Sequence, residues 1–239
     1  MDNLKDLLQV KNATMTSADL YFYGDIVSDW WGAWTDADQY PEAIRDFLHD
    51  QEGKDLNIYI NSGGGSVFAS LAIYNMLKRH TGKKTVYVDG LAASGASVIA
   101  MAGDEIIVPA NAFLMIHRAW DIVSGNAQDL RKCADDLERL DEGIFSIYAE
   151  NLLDGIDPEE IRQMVEAETW LSGTEAAKYF RVTTGDPVQA VACSSDRLNL
   201  YKNTPAAAKI TAPRQGIDKA QEQQSRDNIK RLVLAGLTK

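Results

Sequence analysis

The feature that most constrains this chain is an alternation seen twice in its middle. Asn57-Ile58-Tyr59-Ile60-Asn61 reads as a strand that runs straight into Ser62-Gly63-Gly64-Gly65-Ser66. Residues 67–80 then have helical spacing, with Leu71, Tyr74, Met76 and Leu77 at the apolar positions. The unit recurs. Residues 85–88 form a strand pattern, Gly90-Leu91-Ala92-Ala93-Ser94-Gly95 a turn of small residues, and residues 96–102 a short helix. Strands that alternate with helices in this way predict an α/β fold with a mostly parallel sheet, because a parallel neighbour is reached only through a crossover.

The flanking sequence extends the pattern. Leu20-Tyr21-Phe22-Tyr23-Gly24 reads as an earlier strand, and residues 37–48 fit a helix after a tryptophan-rich stretch with Trp30, Trp31 and Trp34. Residues 105–109 and 112–116 are further strand candidates. From residue 127 to about 152, Leu130, Cys133, Leu137, Leu140, Ile144 and Ile147 step by three and four, which predicts one long amphipathic helix. Asp157-Pro158-Glu159-Glu160 starts another, with proline near its first position and acids in its first turn. Trp170-Leu171-Ser172 gives a short extended piece before a capped helix. These boundaries imply an N-terminal arm over 1–17, a main domain over 18–185 and an extension over 186–239. The extension contains linker-like stretches at 203–208 and 212–216 and a terminal helix at 217–237.

Charge separates the two larger parts. The chain carries 24 Lys and Arg against 35 Asp and Glu, a net charge of −11. Residues 186–239 hold nine basic and five acidic residues, so the preceding 185 carry −15. An acidic domain repels phosphate backbones, which disfavours generic nucleic-acid binding. The two cysteines, Cys133 and Cys193, are too few for a disulfide framework and lack metal-ligand spacing. The N-terminus lacks the basic and apolar regions of a signal peptide. The longest uncharged central run, residues 90–103, falls short of the about 20 residues a bilayer requires. A soluble cytoplasmic protein is expected.

Two places invite chemistry. Both small-residue turns end strands and open helices, so their backbone N–H groups face the mouth of the sheet with the positive helix end behind them. Such loops bind phosphate or the oxyanion of acyl transfer. The first does not match the P-loop, which needs Gly-Lys-Ser/Thr, nor Gly-x-Gly-x-x-Gly, since Phe68 stands three beyond Gly65. Ser94 sits on the second, either as a helix cap or as a serine exposed on a nucleophile elbow. His117 follows an apolar strand, whereas His49 and His80 fall on surface helix ends. A serine and a histidine together suggest a nucleophile and its base.

Ile60-Asn61-Ser62-Gly63-Gly64-Gly65, Gly90-Leu91-Ala92-Ala93-Ser94-Gly95-Ala96 and Leu114-Met115-Ile116-His117 resemble, in order and approximate spacing, three motifs of the ClpP family of serine peptidases (S14). The resemblance covers roughly residues 18–185. Gly63 stands where the family usually has proline, and Gly95 where the cellular subunit has methionine. The resemblance implies a ClpP/crotonase-like α/β fold of repeated β-β-α units, with a projecting handle helix and here a C-terminal extension. It implies Ser94 as nucleophile, His117 as base, and Gly65 and Gly95 as the oxyanion hole. The family places an acid before Trp170-Leu171-Ser172-Gly173-Thr174-Glu175-Ala176, which points to Glu168, with Glu166 as the alternative.

The tryptophan-rich insert, Ser66-Val67-Phe68 and the basic extension are most similar to ClpP-type head maturation proteases of phages and prophages. That likeness implies a serine endopeptidase that processes capsid-assembly proteins and needs no cofactor or metal. Its substrates are proteins or peptides, and the chain is expected to form a ring-shaped homo-oligomer. The partner is an AAA+ unfoldase or phage capsid, scaffold or portal proteins, with no nucleic acid and no membrane. If phage-encoded, it would act in the bacterial host cytoplasm. The rival readings are a crotonase-fold acyl-CoA enzyme, a Ser–Lys enzyme using Lys83 or Lys84, and a ring-forming scaffold without catalysis.

Overall fold

The computed structural model describes residues 14–29, 32–33, 38–187, 193 and 195–205. Residues 1–13 of the expected arm, the three tryptophans of the insert and the expected terminal helix lie outside these residues, and Ser17, the last residue of that arm, already belongs to the first strand.

The first three strands form one side of the sheet, out to its edge. β1 (Ser17–Phe22), β2 (Asp55–Ser62) and β3 (Lys84–Ala93) pair in parallel, joined by α1 (Pro41–Asp50) and α2 (Val67–Arg79). Each crossover helix starts where its sequence allows. Pro41 occupies the first turn of α1, where no N–H partner is needed, and the Ser66 hydroxyl accepts from the Ala69 amide to cap α2. Leu56, Ile58 and Ile60 alternate into the helix-covered face, with Ile73 and Leu77 of α2 against them. The opposite face is half-exposed and carries an in-register stack of Tyr21, Tyr59 and Tyr87, with centroids 4.8 and 5.2 Å apart.

β3 forks the sheet. Thr85, Val86 and Tyr87 pair with β4 (Glu105–Pro109), which in turn pairs with β7 (Thr183–Gly185). Beyond Gly90 the same strand changes partner, and Leu91, Ala92 and Ala93 pair with β5 (Phe113–Ile116). Residues 90–93, read from sequence as part of a turn, are therefore strand. Their small side chains fit a backbone held on both sides, and only Ser94 turns the chain into α3 (Gly95–Ala100), all six residues of which are buried. β6 (Thr169–Ser172) closes the far side antiparallel to β5. The architecture is α/β with a mostly parallel sheet, as the alternation predicts.

α4 (Ala127–Glu150) is the long helix expected from the apolar step, closed at its start by an Asn126–Asp129 capping box. Its buried residues, Asp141, Ile144, Ile147 and Tyr148, all lie in its second half, so the first half projects from the body. α5 (Pro158–Glu166) and α6 (Gly173–Ala176) follow, each with a side-chain cap. Residues 193 and 195–205, expected in part to be linker, pack onto the domain instead. They include a 3-10 turn (Asp196–Asn199), with Leu198 and Tyr201 buried beside Leu91, Ala93 and Met115.

Candidate active site

The carboxyl ends of β2 and β3 lie side by side, and each runs into a glycine turn, the position where open parallel sheets carry their sites. Ser94 occupies the second turn in a left-handed conformation, φ 55°, which is rare for a residue with a side chain. Its hydroxyl does not cap α3, although it stands at the capping position. It bonds instead to Nε2 of His117 at 2.7 Å. The register of β3 on β5 produces this meeting. Ala93 lies opposite Met115, so the residues just beyond each strand end are neighbours. The elbow is held from behind by the Ser97 hydroxyl, within bonding distance of the carbonyls of Ser94 (2.6 Å) and Met115 (2.9 Å) and of the Tyr148 hydroxyl (2.8 Å).

The glycines are required where the two turns interlock. A Cβ on Gly65, φ 157°, would fall 1.9 Å from the Ile26 carbonyl oxygen, and one on Gly64, φ 86°, would fall 2.4 Å from that of Ala93. The bridge to Ile26 uses the Gly64 carbonyl and the Ser66 amide, which leaves the Gly65 N–H outside the pairing. The Gly95 N–H opens a helix and has no partner within it. A Cβ on Gly95 would meet the Ser70 hydroxyl at 2.1 Å and the Gly65 nitrogen at 3.5 Å, so the two glycines are adjacent. Two unused N–H groups beside a serine oxygen are the elements of an oxyanion hole.

His117 is the only one of the three histidines here. His49 lies exposed in the last turn of α1, and His80 follows α2 with its Nε2 on the Lys54 carbonyl at 2.7 Å. Burial pushes the His117 imidazole below the ordinary 6.5, against the opposing pull of the Glu168 and Asp141 carboxylates. A lowered value keeps the ring neutral and able to accept a proton near pH 7.

The two acid candidates separate. Glu168 lies on the His117 side, at φ 54°, and its carboxylate accepts from the Asn203 backbone N–H at 2.6 Å. Among the described residues no carboxylate is hydrogen-bonded to His117. Glu166 faces Arg118 and Arg162 across the α4–α5 groove. Asp141 was not singled out by the sequence. It is an acid on the buried face of α4, and its oxygens accept from Arg118 Nε at 2.6 Å and the Ala119 amide at 2.7 Å, tying down the chain just after His117. The interruption of α4's apolar face by one aspartate is the signal that could have found it. Tyr201 was also missed, for the sequence around it reads as a basic tail.

Ser94, His117, Gly65 and Gly95 open onto one cavity of about 740 Å³, continued by apolar side chains of Leu71, Val98, Leu140 and Ile144. Among the described residues, no cluster of His, Cys, Asp and Glu could hold a metal ion, and no helix is long and apolar enough to cross a membrane. Lys83 and Lys84, the dyad alternatives, pair with Glu105 at 2.8 Å and Asp104 at 2.9 Å at the start of β3, roughly 30 Å along the strand from Ser94.

Residues 38–182 match the family model described as Clp protease. Three curated relatives, each named ATP-dependent Clp protease proteolytic subunit, are 32% identical to this chain. Those from Bacteroides fragilis and Bacteroides thetaiotaomicron align over 130 residues, 53% of this chain and 61% and 58% of the relatives. The one from Borrelia garinii subsp. bavariensis aligns over 136 residues, 56% of this chain and 69% of the relative. The chain thus spans about three fifths of the length of the two Bacteroides relatives.

Proposed function

We propose, from the premise that this chain belongs to the Clp protease family, that it is a serine endopeptidase acting through an acyl-enzyme on Ser94. The observation that carries the reading is the 2.7 Å contact between Ser94 Oγ and His117 Nε2 beside two unused glycine amides. His117 takes the proton of Ser94 as Oγ attacks a peptide carbonyl, then returns it to the leaving amine. The N–H groups of Gly65 and Gly95 hold the oxyanion, each worth about 2.7–4 kcal/mol in comparable sites. The negative charge of Glu168 stabilises the transient imidazolium without a hydrogen bond to it, since Asn203 occupies its carboxylate. The apolar end of the cavity suits an apolar substrate side chain.

A ring-shaped homo-oligomer fits the projecting half of α4 and the exposed Trp120, Ile122, Val123 and Leu130 around its start. The finer reading is a phage-type enzyme that cuts capsid, scaffold or portal precursors in the host cytoplasm. It rests on the likeness of the insert and of the extension over 186–239 and is tested by co-expression with such a precursor. The AAA+ alternative is tested by adding an unfoldase with ATP. An acyl-CoA enzyme would leave the Ser94–His117 contact without a role, and a scaffold would not activate Ser94.

The decisive experiment is intact mass after a fluorophosphonate probe. One adduct on the wild type, absent from Ser94→Ala and His117→Ala, sustains the peptidase reading. No adduct on a correctly assembled oligomer sinks it in favour of the scaffold.

A further inference from the structure

Residues 195–204 touch every part of the site. The Tyr201 hydroxyl donates to the Gly63 carbonyl at 2.5 Å, on the turn that leads to Gly65. The edge of its ring packs on His117, centroids 5.1 Å apart at 72°, and on Trp170 at 6.2 Å and 65°. Tyr201 is 6% exposed, and Thr204 locks the segment by donating to the Leu198 carbonyl at 2.7 Å. Asn203 makes three hydrogen bonds here, two to Glu168 and one to Ala167. Its backbone N–H meets the carboxylate, and its side-chain amide donates to the carbonyls of Ala167 (2.8 Å) and Glu168 (3.0 Å). Ser195 and Arg197 fasten the near end by donating to Asp25 at 2.7 and 3.2 Å.

The turn itself is shaped to receive this segment. A Cβ on Gly63 would fall 2.5 Å from Ser195 Oγ and 2.8 Å from Ser195 Cβ. The Cys193 thiol lies beside the same turn, donating to the Asn61 carbonyl at 3.6 Å, and burial pushes it up to about 12. A proline here would drive its ring into Ser195. Gly63 and the extension are therefore matched to each other, although the extension lies beyond the residues that match the family model.

We infer that residues 195–204 form a working wall of the active site, with Tyr201 as a positioning residue that acts through His117 and through the Gly63–Gly65 turn. The inference rests on the reading of Ser94 and His117 as nucleophile and base. With no carboxylate bonded to His117, the Tyr201 ring sets its orientation and shields it from water. The Tyr201 hydroxyl sets the turn that presents the Gly65 amide. One side chain thus keeps the base and the oxyanion donors in register.

The test uses the full chain with two readouts. One is the rate of Ser94 phosphonylation. The other is carbethoxylation of His117 by diethyl pyrocarbonate against pH, read by peptide mass, which needs no activity. In the wild type the carbethoxylation inflection is expected below 6.5, because the ring is buried. Tyr201→Ala is expected to raise it toward 6.5 and to slow phosphonylation on the order of 10²-fold, the cost of a misplacement of about 1 Å. Tyr201→Phe keeps the ring, so the inflection stays while phosphonylation falls about fivefold for one lost hydrogen bond. Gly63→Pro should reproduce Tyr201→Ala by expelling the segment, and Met15→Ala, at an exposed position before β1 and away from the site, should match the wild type. An unchanged phosphonylation rate in Tyr201→Ala overturns the inference, as does an unchanged inflection. A wild type that does not label sinks the peptidase reading alone, and the His117 inflection then decides whether Tyr201 holds the ring.

Discussion

The cavity has two walls built on different principles. One, formed by the turns at 63–66 and 94–95, lies within the matched residues 38–182 and presents backbone N–H groups, with Gly64 and Gly65 at φ values that only glycine adopts readily. The other, residues 195–204, lies outside the match and presents the side chains of Arg197, Tyr201 and Asn203. On the proposed reading the backbone wall supplies charge stabilisation and the side-chain wall supplies alignment. The chemistry then sits on residues that the family model matches, and its geometry is finished by residues beyond that match.

The largest effect should come from the shared side. Ser94→Ala leaves no oxygen to acylate, and in a comparable triad such a loss costs about 10⁶-fold in turnover. His117→Ala should lose roughly 10²–10⁴-fold of phosphonylation rate, the worth of a general base. Native mass spectra should show both variants assembling as the wild type does. If His117→Ala retained wild-type phosphonylation, His117 would be a packing residue and the shared wall would lose its chemistry.

The next effect separates backbone from side chain within that wall. Gly65→Ala places a methyl group 1.9 Å from the Ile26 carbonyl oxygen, so the turn must move. A loss of about 10²–10³-fold is expected, as for removal of an oxyanion donor, together with a lower melting temperature. Phosphonylation and thermal unfolding of the same sample check it. A Gly65→Ala variant as active as Tyr201→Phe would mean that the side-chain wall matters as much as the amide.

The unequal legibility of the two walls has a physical cause. A glycine turn between a strand and a helix is by itself a weak signal, but three motifs in the order of one family name Ser94, His117, Gly65 and Gly95 together, and they are found together. The fork in β3 could not be read, because small residues such as Ala92 and Ala93 serve a turn and a crowded strand equally well. β7 is three residues of exposed and half-buried Thr183-Thr184-Gly185 and exists only because β4 offers it an edge. The second wall is the extreme case. Leu198 and Tyr201 are the two buried apolar residues in a polar, basic stretch, too sparse for any periodicity, and their burial depends on a partner more than 80 residues away in sequence at Met115. Asp141 was hidden for the opposite reason, since a single acid within a strong helical pattern is easily assigned to the solvent face.

Glu168 tests how the walls cooperate, because it belongs to the domain by sequence and to the extension by hydrogen bonding. An acid bonded directly to the base is worth about 10⁴-fold in turnover. With its carboxylate on Asn203, Glu168 acts on His117 by charge alone, and Glu168→Gln should cost about tenfold, a through-space interaction near 1.4 kcal/mol. The pH dependence of phosphonylation checks it. A loss near 10⁴ would mean that the carboxylate leaves Asn203 for His117 in the working enzyme.

The smallest effect concerns Asp141, the acid on the backbone side of His117. Its negative charge favours the imidazolium, as that of Glu168 does, and burial opposes both. Removing the charge with Asp141→Asn therefore lowers the His117 value further, so the rate–pH curve, which rises as the ring loses its proton, should move to lower pH. The direction is opposite to that expected for Tyr201→Ala, which admits water and raises the value. The asparagine keeps one acceptor for the Ala119 amide but loses the charge opposite Arg118, so a rate loss of only about threefold is expected at the plateau. Opposite displacements in the two variants would show that charge and burial tune the base from separate sides of the cavity. Displacements of the same sign would mean that Asp141→Asn works by loosening the chain after His117, which would make Asp141 a packing anchor and leave the tuning of the base to the extension.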